Sequence, residues 1–270
     1  MASAAAYARN SGHDVLLIDS VAEPSDFDSV RKRLSLFKPQ LVFAETSTPS
    51  LENDLALLRK IKKDFPDAPI VCAGSHSPHF ALELMKKENL PDFWIAGEYD
   101  FTVSELASAM EKGVDPASVA GVFNASNKNV PAFASVKDLD SLPEPLFEAL
   151  PVANYSDPVC GLPSPSGQTF LSRGCPFKCS FCVWPQVVYG NRSYRTRSIE
   201  KALAEVETLI NTYKCESFYF DDDTANIGEE RMKFLASEIV RRKLNIYPWA
   251  MMARADCMTD PMLEALAAAG

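Results

Sequence analysis

The run Ser172-Arg-Gly-Cys-Pro-Phe-Lys-Cys-Ser-Phe-Cys182 carries Cys175, Cys179 and Cys182 in a CxxxCxxC spacing. Three thiolates on one short loop can hold a metal cluster and leave one coordination position open. Most clusters that only carry electrons have every iron ligated by protein, as four-cysteine ferredoxins do. Three cysteines therefore point to a cubane with one iron free to grip a small ligand and pass it an electron. The competing chemistry is a zinc site completed from elsewhere, or buried thiols. Structural zinc usually takes its cysteines as two paired knuckles. No second knuckle is present: Cys215 and Cys257 are isolated, Cys72 lies in an apolar run and Cys160 among prolines.

A second group of chemically capable residues sits at expected strand ends. Asp221, Asp222 and Asp223 follow Phe218-Tyr219-Phe220, and Arg254 follows another apolar run. Adjacent carboxylates repel one another, so a nearby cation would offset their charge; capping of the next helix or a divalent ion is the alternative. For Arg254 the alternative is a surface salt bridge. In the N-terminal half the polar and small residues Thr46-Ser47-Thr48-Pro49-Ser50, Ala73-Gly74-Ser75-His76 and Gly97-Glu98-Tyr99-Asp100 each follow an apolar run. Open α/β sheets bind ligands at such carboxyl ends, and small residues there let the backbone approach a ligand closely.

The elements that must position these residues follow from hydrophobic periodicity. Residues 1–123 alternate short apolar runs with amphipathic stretches, the pattern of a doubly wound, Rossmann-like α/β domain. Helices are expected at 4–10, from a Ser25 cap to 37, at 51–64 and at 102–112; strands at 14–19, 41–45, 69–74 and 93–96. A domain of this kind ordinarily opens on a strand, whereas this chain opens on a helix, so its first strand is expected to be missing. Residues 124–166 hold Pro131, Pro143, Pro145, Pro151, Pro158, Pro163 and Pro165 and read as an ordered but irregular linker. Residues 167–270 read as three βα units, with strands at 168–172, 217–220 and 247–253 and helices at 199–213, 229–242 and 260–269. A parallel barrel needs roughly 250 residues. This stretch is therefore expected to be the N-terminal half of one, in a fragment truncated at both ends.

Composition excludes several classes. The chain has 270 residues, 47% of them hydrophobic, a formal charge of -9 and a pI near 5.0. That charge argues against a nucleic-acid partner, which needs clustered cations; Arg192, Arg195 and Arg197 suit a solvated face or one anionic group. Seven cysteines and no apparent signal peptide suggest a reducing, cytoplasmic setting, and no apolar run is long enough to span a membrane.

The motif Gly174-Cys175-Pro-Phe-Lys-Cys179-Ser-Phe181-Cys182 resembles the signature of the radical S-adenosylmethionine superfamily, including the aromatic residue before the last cysteine. The N-terminal half is similar to the cobalamin-binding domain that precedes the partial barrel in one branch. The resemblance covers nearly the whole chain. It implies a 4Fe-4S cluster on Cys175, Cys179 and Cys182, with S-adenosylmethionine on the fourth iron and its reductive cleavage to a 5'-deoxyadenosyl radical. It further implies Phe181 near the adenine, Asp222 or Asp223 against the methionyl amine and Arg254 at the carboxylate. Thr46, Ser47, Thr48, Gly74, Gly97 and Glu98 would then lie around cobalamin, and a flavodoxin- or ferredoxin-type protein would be the reductant.

Val183-Trp184-Pro185-Gln186 and Tyr194-Arg195-Thr196-Arg197-Ser198 are similar to members linked to tetrapyrrole cyclisation and hopanoid processing. The chain departs from the branch in having Ala73-Gly74 where paired glycines are common. It also lacks the DxHxxG motif of histidine-ligated cobalt. His76 and His79 thus read as loop or helix-start residues and His13 as a surface histidine. The expected function is methylation of an unactivated carbon, or rearrangement or cyclisation of a lipid or tetrapyrrole. The alternatives are a non-catalytic remnant and a zinc or electron-transfer protein.

Overall fold

In the computed structural model, which describes residues 1–23, 25–157 and 160–270, contacts along the chain group into two units. One comprises Met1–Lys137, Leu142–Ala149 and Phe177–Arg192, the other Asp138–Ser141, Leu150–Pro176 and Ser193–Gly270. Pro158 of the proline-rich stretch lies outside the described residues.

The first unit contains α1 (Ala2–Asn10), α2 (Phe27–Phe37), β1 (Val42–Thr46), α3 (Leu51–Asp64), β2 (Ile70–Gly74), α4 (Pro78–Glu88), β3 (Phe93–Ile95), α5 (Thr102–Glu111), β4 (Val122–Phe123) and α6 (Trp184–Val187). The sheet runs β1-β2-β3-β4, parallel through β3, with β4 added antiparallel at the edge. Ile70–Ala73 is apolar throughout and fully buried, as a strand covered on both faces must be. Alternate residues point to opposite faces. Ile70 and Cys72 pack with residues of α2, α3 and α4, while Val71 and Ala73 pack with Leu106 of α5 and Val122 of β4. Helices on both faces make this the expected doubly wound sheet.

Two local expectations change. The run Asp14–Asp19 forms no strand: Leu17 is buried and Leu16 and Ile18 pack on the core, yet no ladder reaches the run. Apolar patterning dictates burial, whereas a strand also needs a backbone partner. Asp26, not Ser25, caps α2, its carboxylate accepting the Ser29 N–H at 2.8 Å.

The second unit contains β5 (Ser166–Thr169), β6 (Ser172–Arg173), β7 (Arg195–Thr196), α7 (Ile199–Asn211), β8 (Ser217–Phe220), α8 (Glu229–Arg241), β9 (Trp249–Met251) and α9 (Asp260–Ala268). Strands β5, β8 and β9 are parallel neighbours in that order, each followed by a helix, the repeat of a (βα) barrel. Phe218 and Phe220 of β8 meet Trp249 of β9, stacked and edge-on respectively, and Trp249 Nε1 donates to the Ala269 carbonyl at 3.1 Å. The expected strand over 168–172 splits: β5 stops at Thr169, and Ser172–Arg173 pairs antiparallel with β7. The break falls at Leu171, whose N–H donates to the Asp222 carboxylate and whose carbonyl accepts from the Arg197 N–H and the Arg231 guanidinium. With its backbone groups taken by these partners, Leu171 leaves the parallel ladder.

Candidate functional site

The cysteine loop departs from β6 through Gly174, which has φ +86°; a Cβ there would overlap the carbonyl oxygen of Ser193. Only glycine accommodates both constraints. From Gly174 to Val183 the chain forms no helix or strand. Cys175, Cys179 and Cys182 are half-buried, and the Cys182 N–H donates to the Cys179 carbonyl at 3.1 Å, closing a turn over the last two positions. No disulfide joins any of the seven cysteines. Among the described residues no three His, Cys, Asp or Glu side chains stand assembled as a finished metal site. Donor type and number fit an iron-sulfur cluster. Cys72 and Cys215 do not compete: both are buried, and burial pushes both thiols up, Cys215 to about 11, away from the thiolate that binds metal.

Residues Asp222, Asp223 and Thr224, just beyond β8, face the start of this loop. Asp222 is buried; it accepts the Leu171 N–H at 3.0 Å and a short hydrogen bond from the Ser172 hydroxyl. Burial raises its carboxyl to about 6, against the opposing pull of those bonds. Asp223, half-buried, accepts the Gly174 N–H at 2.8 Å. The Thr224 hydroxyl lies 3.4 Å from Cys175 Sγ. Asp221 is exposed, its N–H bonded to the Thr169 carbonyl. Arg254 is tied through its backbone to buried Asn226, and its guanidinium forms two bonds with Asp256, at 2.9 and 2.6 Å. Phe181 presents its ring to solvent at 86% exposure.

Beneath β5 lies a buried ion pair: Arg197 lies on no solvated face but is buried against Glu205, which sequence reading did not single out. Arg197 and Glu205 are 1% and 3% exposed and bonded through both guanidinium NH2 groups. Thr169 Oγ1 donates to Glu205 at 2.7 Å, and the Arg197 guanidinium stacks 4.9 Å from the Phe170 ring. Arg231 reaches from α8 to the carbonyls of Leu171 and Arg197 at 3.0 and 2.6 Å. Ser172, Thr224 and Asn226 were likewise missed. Their partners lie some 30 to 50 residues away in sequence, so no local pattern marks them.

In the first unit, Thr46, Ser47, Thr48, Gly74, Gly97 and Glu98 gather along the carboxyl edge of adjacent strands β1, β2 and β3. Thr46 Oγ1 donates to the Ala73 carbonyl at 3.3 Å, and the Thr48 N–H to Ser75 Oγ at 3.4 Å. The Ser47 and Ser50 hydroxyls are 2.8 Å apart. A Cβ on Gly74 would overlap the Thr46 carbonyl and one on Gly97 the Ala134 carbonyl, so chain-to-chain approach already demands both glycines. Glu98 is buried and accepts the Val136 N–H at 2.9 Å. His79 is exposed in the first turn of α4, while His76 is buried beside Phe80 and Trp94, and burial lowers its basicity. His13 is no plain surface residue; its Nε2 is 3.1 Å from Ser108 Oγ.

No family model matches the chain. It is 29% identical over 263 residues to an uncharacterized methyltransferase of Pyrococcus horikoshii, covering 96% of this chain and 55% of that protein. It is 25% identical to the anaerobic magnesium-protoporphyrin IX monomethyl ester cyclase of Rubrivivax gelatinosus, covering 96% and 47%. To the hopanoid C-3 methylase of Methylococcus capsulatus it is 28% identical, covering 87% and 44%. Among solved structures, the radical S-adenosylmethionine methyltransferase TsrM from Kitasatospora setae, with cobalamin and a [4Fe-4S] cluster bound, superposes with a TM-score of 0.74 at 20% identity. That match covers all of this chain and 54% of TsrM. The structural match establishes the fold, and the cyclase and the hopanoid methylase bear out the similarity to members linked to tetrapyrrole cyclisation and hopanoid processing. The chain spans about half the length of the relatives it matches.

Proposed function

We propose that this chain acts as a cobalamin-dependent radical S-adenosylmethionine enzyme that methylates an unactivated carbon of a small-molecule substrate; rearrangement or cyclisation of a lipid or tetrapyrrole is the variant outcome. The observation that carries this reading is the three-cysteine loop of 175–182, gripped at its start by the residues that follow β8. In it Cys175, Cys179 and Cys182 hold three irons of a 4Fe-4S cluster. Such a cluster supplies the electron that cleaves S-adenosylmethionine, and cobalamin supplies a methyl carrier.

The chain's own residues bind and orient. Asp223 spends one oxygen on the Gly174 N–H, and its remaining acceptor capacity suits the methionyl ammonium. Asp222, with both oxygens engaged by Leu171 and Ser172, contributes to the same contact by holding the loop. Arg254 reaches the methionyl carboxylate by leaving its pairing with exposed Asp256, an exchange costing under about 1 kcal/mol. The exposed Phe181 ring offers a face to the adenine. Residues 1–123 hold cobalamin along the edge formed by Thr46, Ser47, Thr48, Gly74, Gly97 and Glu98, and residues 167–270 carry the cluster and S-adenosylmethionine, with 124–166 as linker. A flavodoxin- or ferredoxin-type protein delivers the electron. Among the described residues no helix is long and apolar enough to cross a membrane.

Anaerobic reconstitution with iron and sulfide tests the reading. The wild type is expected to take up a 4Fe-4S cluster and release 5'-deoxyadenosine from S-adenosylmethionine under reduction, and Cys175→Ser, Cys179→Ser and Cys182→Ser to lose both. Zinc without iron or sulfide would refute it, and a cluster that never cleaves S-adenosylmethionine would indicate a non-catalytic protein.

A further inference from the structure

Three successive residues beyond β8 meet the entry to the cysteine loop in order. Asp222 holds Leu171 and Ser172, Asp223 holds Gly174, and Thr224 places its hydroxyl 3.4 Å from the Sγ of Cys175. Thr224 is buried, and the same hydroxyl lies 2.5 Å from the Asp223 carbonyl oxygen. A hydroxyl has one proton to give. While Cys175 is a thiol, its S–H donates to Thr224 Oγ1 and the hydroxyl proton goes to the Asp223 carbonyl. A metal-bound sulfur is a thiolate and can only accept, so within this pair the threonine becomes the only donor.

We infer that Thr224 turns its O–H to the Cys175 sulfur when that sulfur ligates iron, and that this hydrogen bond helps set the reduction potential of the cluster. Asp222 and Asp223 act as the clamp that keeps Cys175 within reach. The inference rests on the cluster assignment proposed above. Reduction adds negative charge that is shared by the ligating sulfurs, so a hydrogen bond to one of them stabilises the reduced form more than the oxidised form and raises the potential. Thr224 is thus a positioning residue acting through Cys175.

The test compares the full chain with Thr224→Val, Thr224→Ala and Thr224→Ser, each reconstituted anaerobically with iron and sulfide. Midpoint potentials are read by redox titration of the reduced cluster's electron paramagnetic resonance signal, and exchangeable deuterons near the cluster by pulsed resonance in heavy water. Val and Ala are expected to bind iron and sulfide at the wild-type ratio, with a more negative potential and loss of one deuteron coupling. Ser is expected to retain the wild-type potential and coupling. An unchanged potential or coupling in a folded, cluster-loaded Val or Ala variant overturns the inference and leaves the cluster assignment standing; using two variants of different volume covers a folding failure in one. If the wild type takes up no cluster, the assignment fails and the inference with it.

Discussion

Removing the Glu205 carboxylate should be among the costliest single substitutions in the second unit. Arg197 is 1% exposed, and both guanidinium NH2 groups are bonded to Glu205. In Glu205→Ala the Arg197 charge stays buried without its counterion, which costs about 3–5 kcal/mol. Thr169 Oγ1 loses the acceptor that it holds at 2.7 Å, adding about 1–3 kcal/mol. The total, on the order of 4–8 kcal/mol, is comparable to the roughly 5–15 kcal/mol that holds a typical domain together. The backbone bonds of Arg197, to Leu171 and from Arg231, do not involve Glu205, so the loss isolates the side-chain pair. Replacing both partners, Arg197→Met with Glu205→Leu, removes the charge and its counterion together and should recover most of the loss, since apolar replacements of buried pairs are often neutral. Urea titrations of wild type, Arg197→Met, Glu205→Leu and the double variant give the coupling energy through a double-mutant cycle. A Glu205→Ala cost below about 1 kcal/mol, the range of exposed pairs, or a double variant as unstable as the sum of the singles, would refute the reasoning.

Two further outcomes are expected. Asp222 has an ordinary value of 3.8 and, buried, one of about 6. Below the lower value both folded and unfolded chains are protonated; between the two only the unfolded chain ionises. Stability therefore falls as pH rises through that window, by roughly 3 kcal/mol at 1.36 kcal/mol for each pH unit, and levels off above it. Asp222→Asn should abolish that decline in denaturant titrations taken from about pH 4 to about pH 7, and the same decline in the variant would sink the assignment. Gly74→Ala should destabilise the first unit well beyond Gly113→Ala: both glycines have positive φ, but only at Gly74 would a Cβ overlap a backbone carbonyl, that of Thr46, whereas nothing lies within 4 Å at Gly113. The control should lose about 1–2 kcal/mol, the left-handed penalty alone, and equal melting temperatures for the two variants would contradict the clash.

Much of the architecture was legible in sequence because periodicity reports burial directly. The helices at 51–64, 199–211 and 229–241 show their apolar stripes, and Ile70–Ala73 shows a strand covered on both faces. Asp14–Asp19 was misread because the same signal carries no information about who pairs with whom. The antiparallel β4 is two residues long, too short for any pattern to register. The break at Leu171 depends on Asp222, Arg197 and Arg231, residues 26 to 60 positions further along.

The sequence by itself determined the type of donor, because a nine-residue motif carries its spacing and its three sulfurs in one unbroken stretch, whatever the rest of the chain does. It also placed acids and small polar residues at strand ends, since strands and the turns after them are local. Only the tertiary structure decided what those residues touch. Asp222 is clamped to the loop's entry, Gly74 is small because Thr46 lies against it, and Thr224 stands beside Cys175. Each of those contacts joins positions 28 or more residues apart. Such pairs meet only when the sheet has set its strand order and register, and neither quantity is written in any single segment.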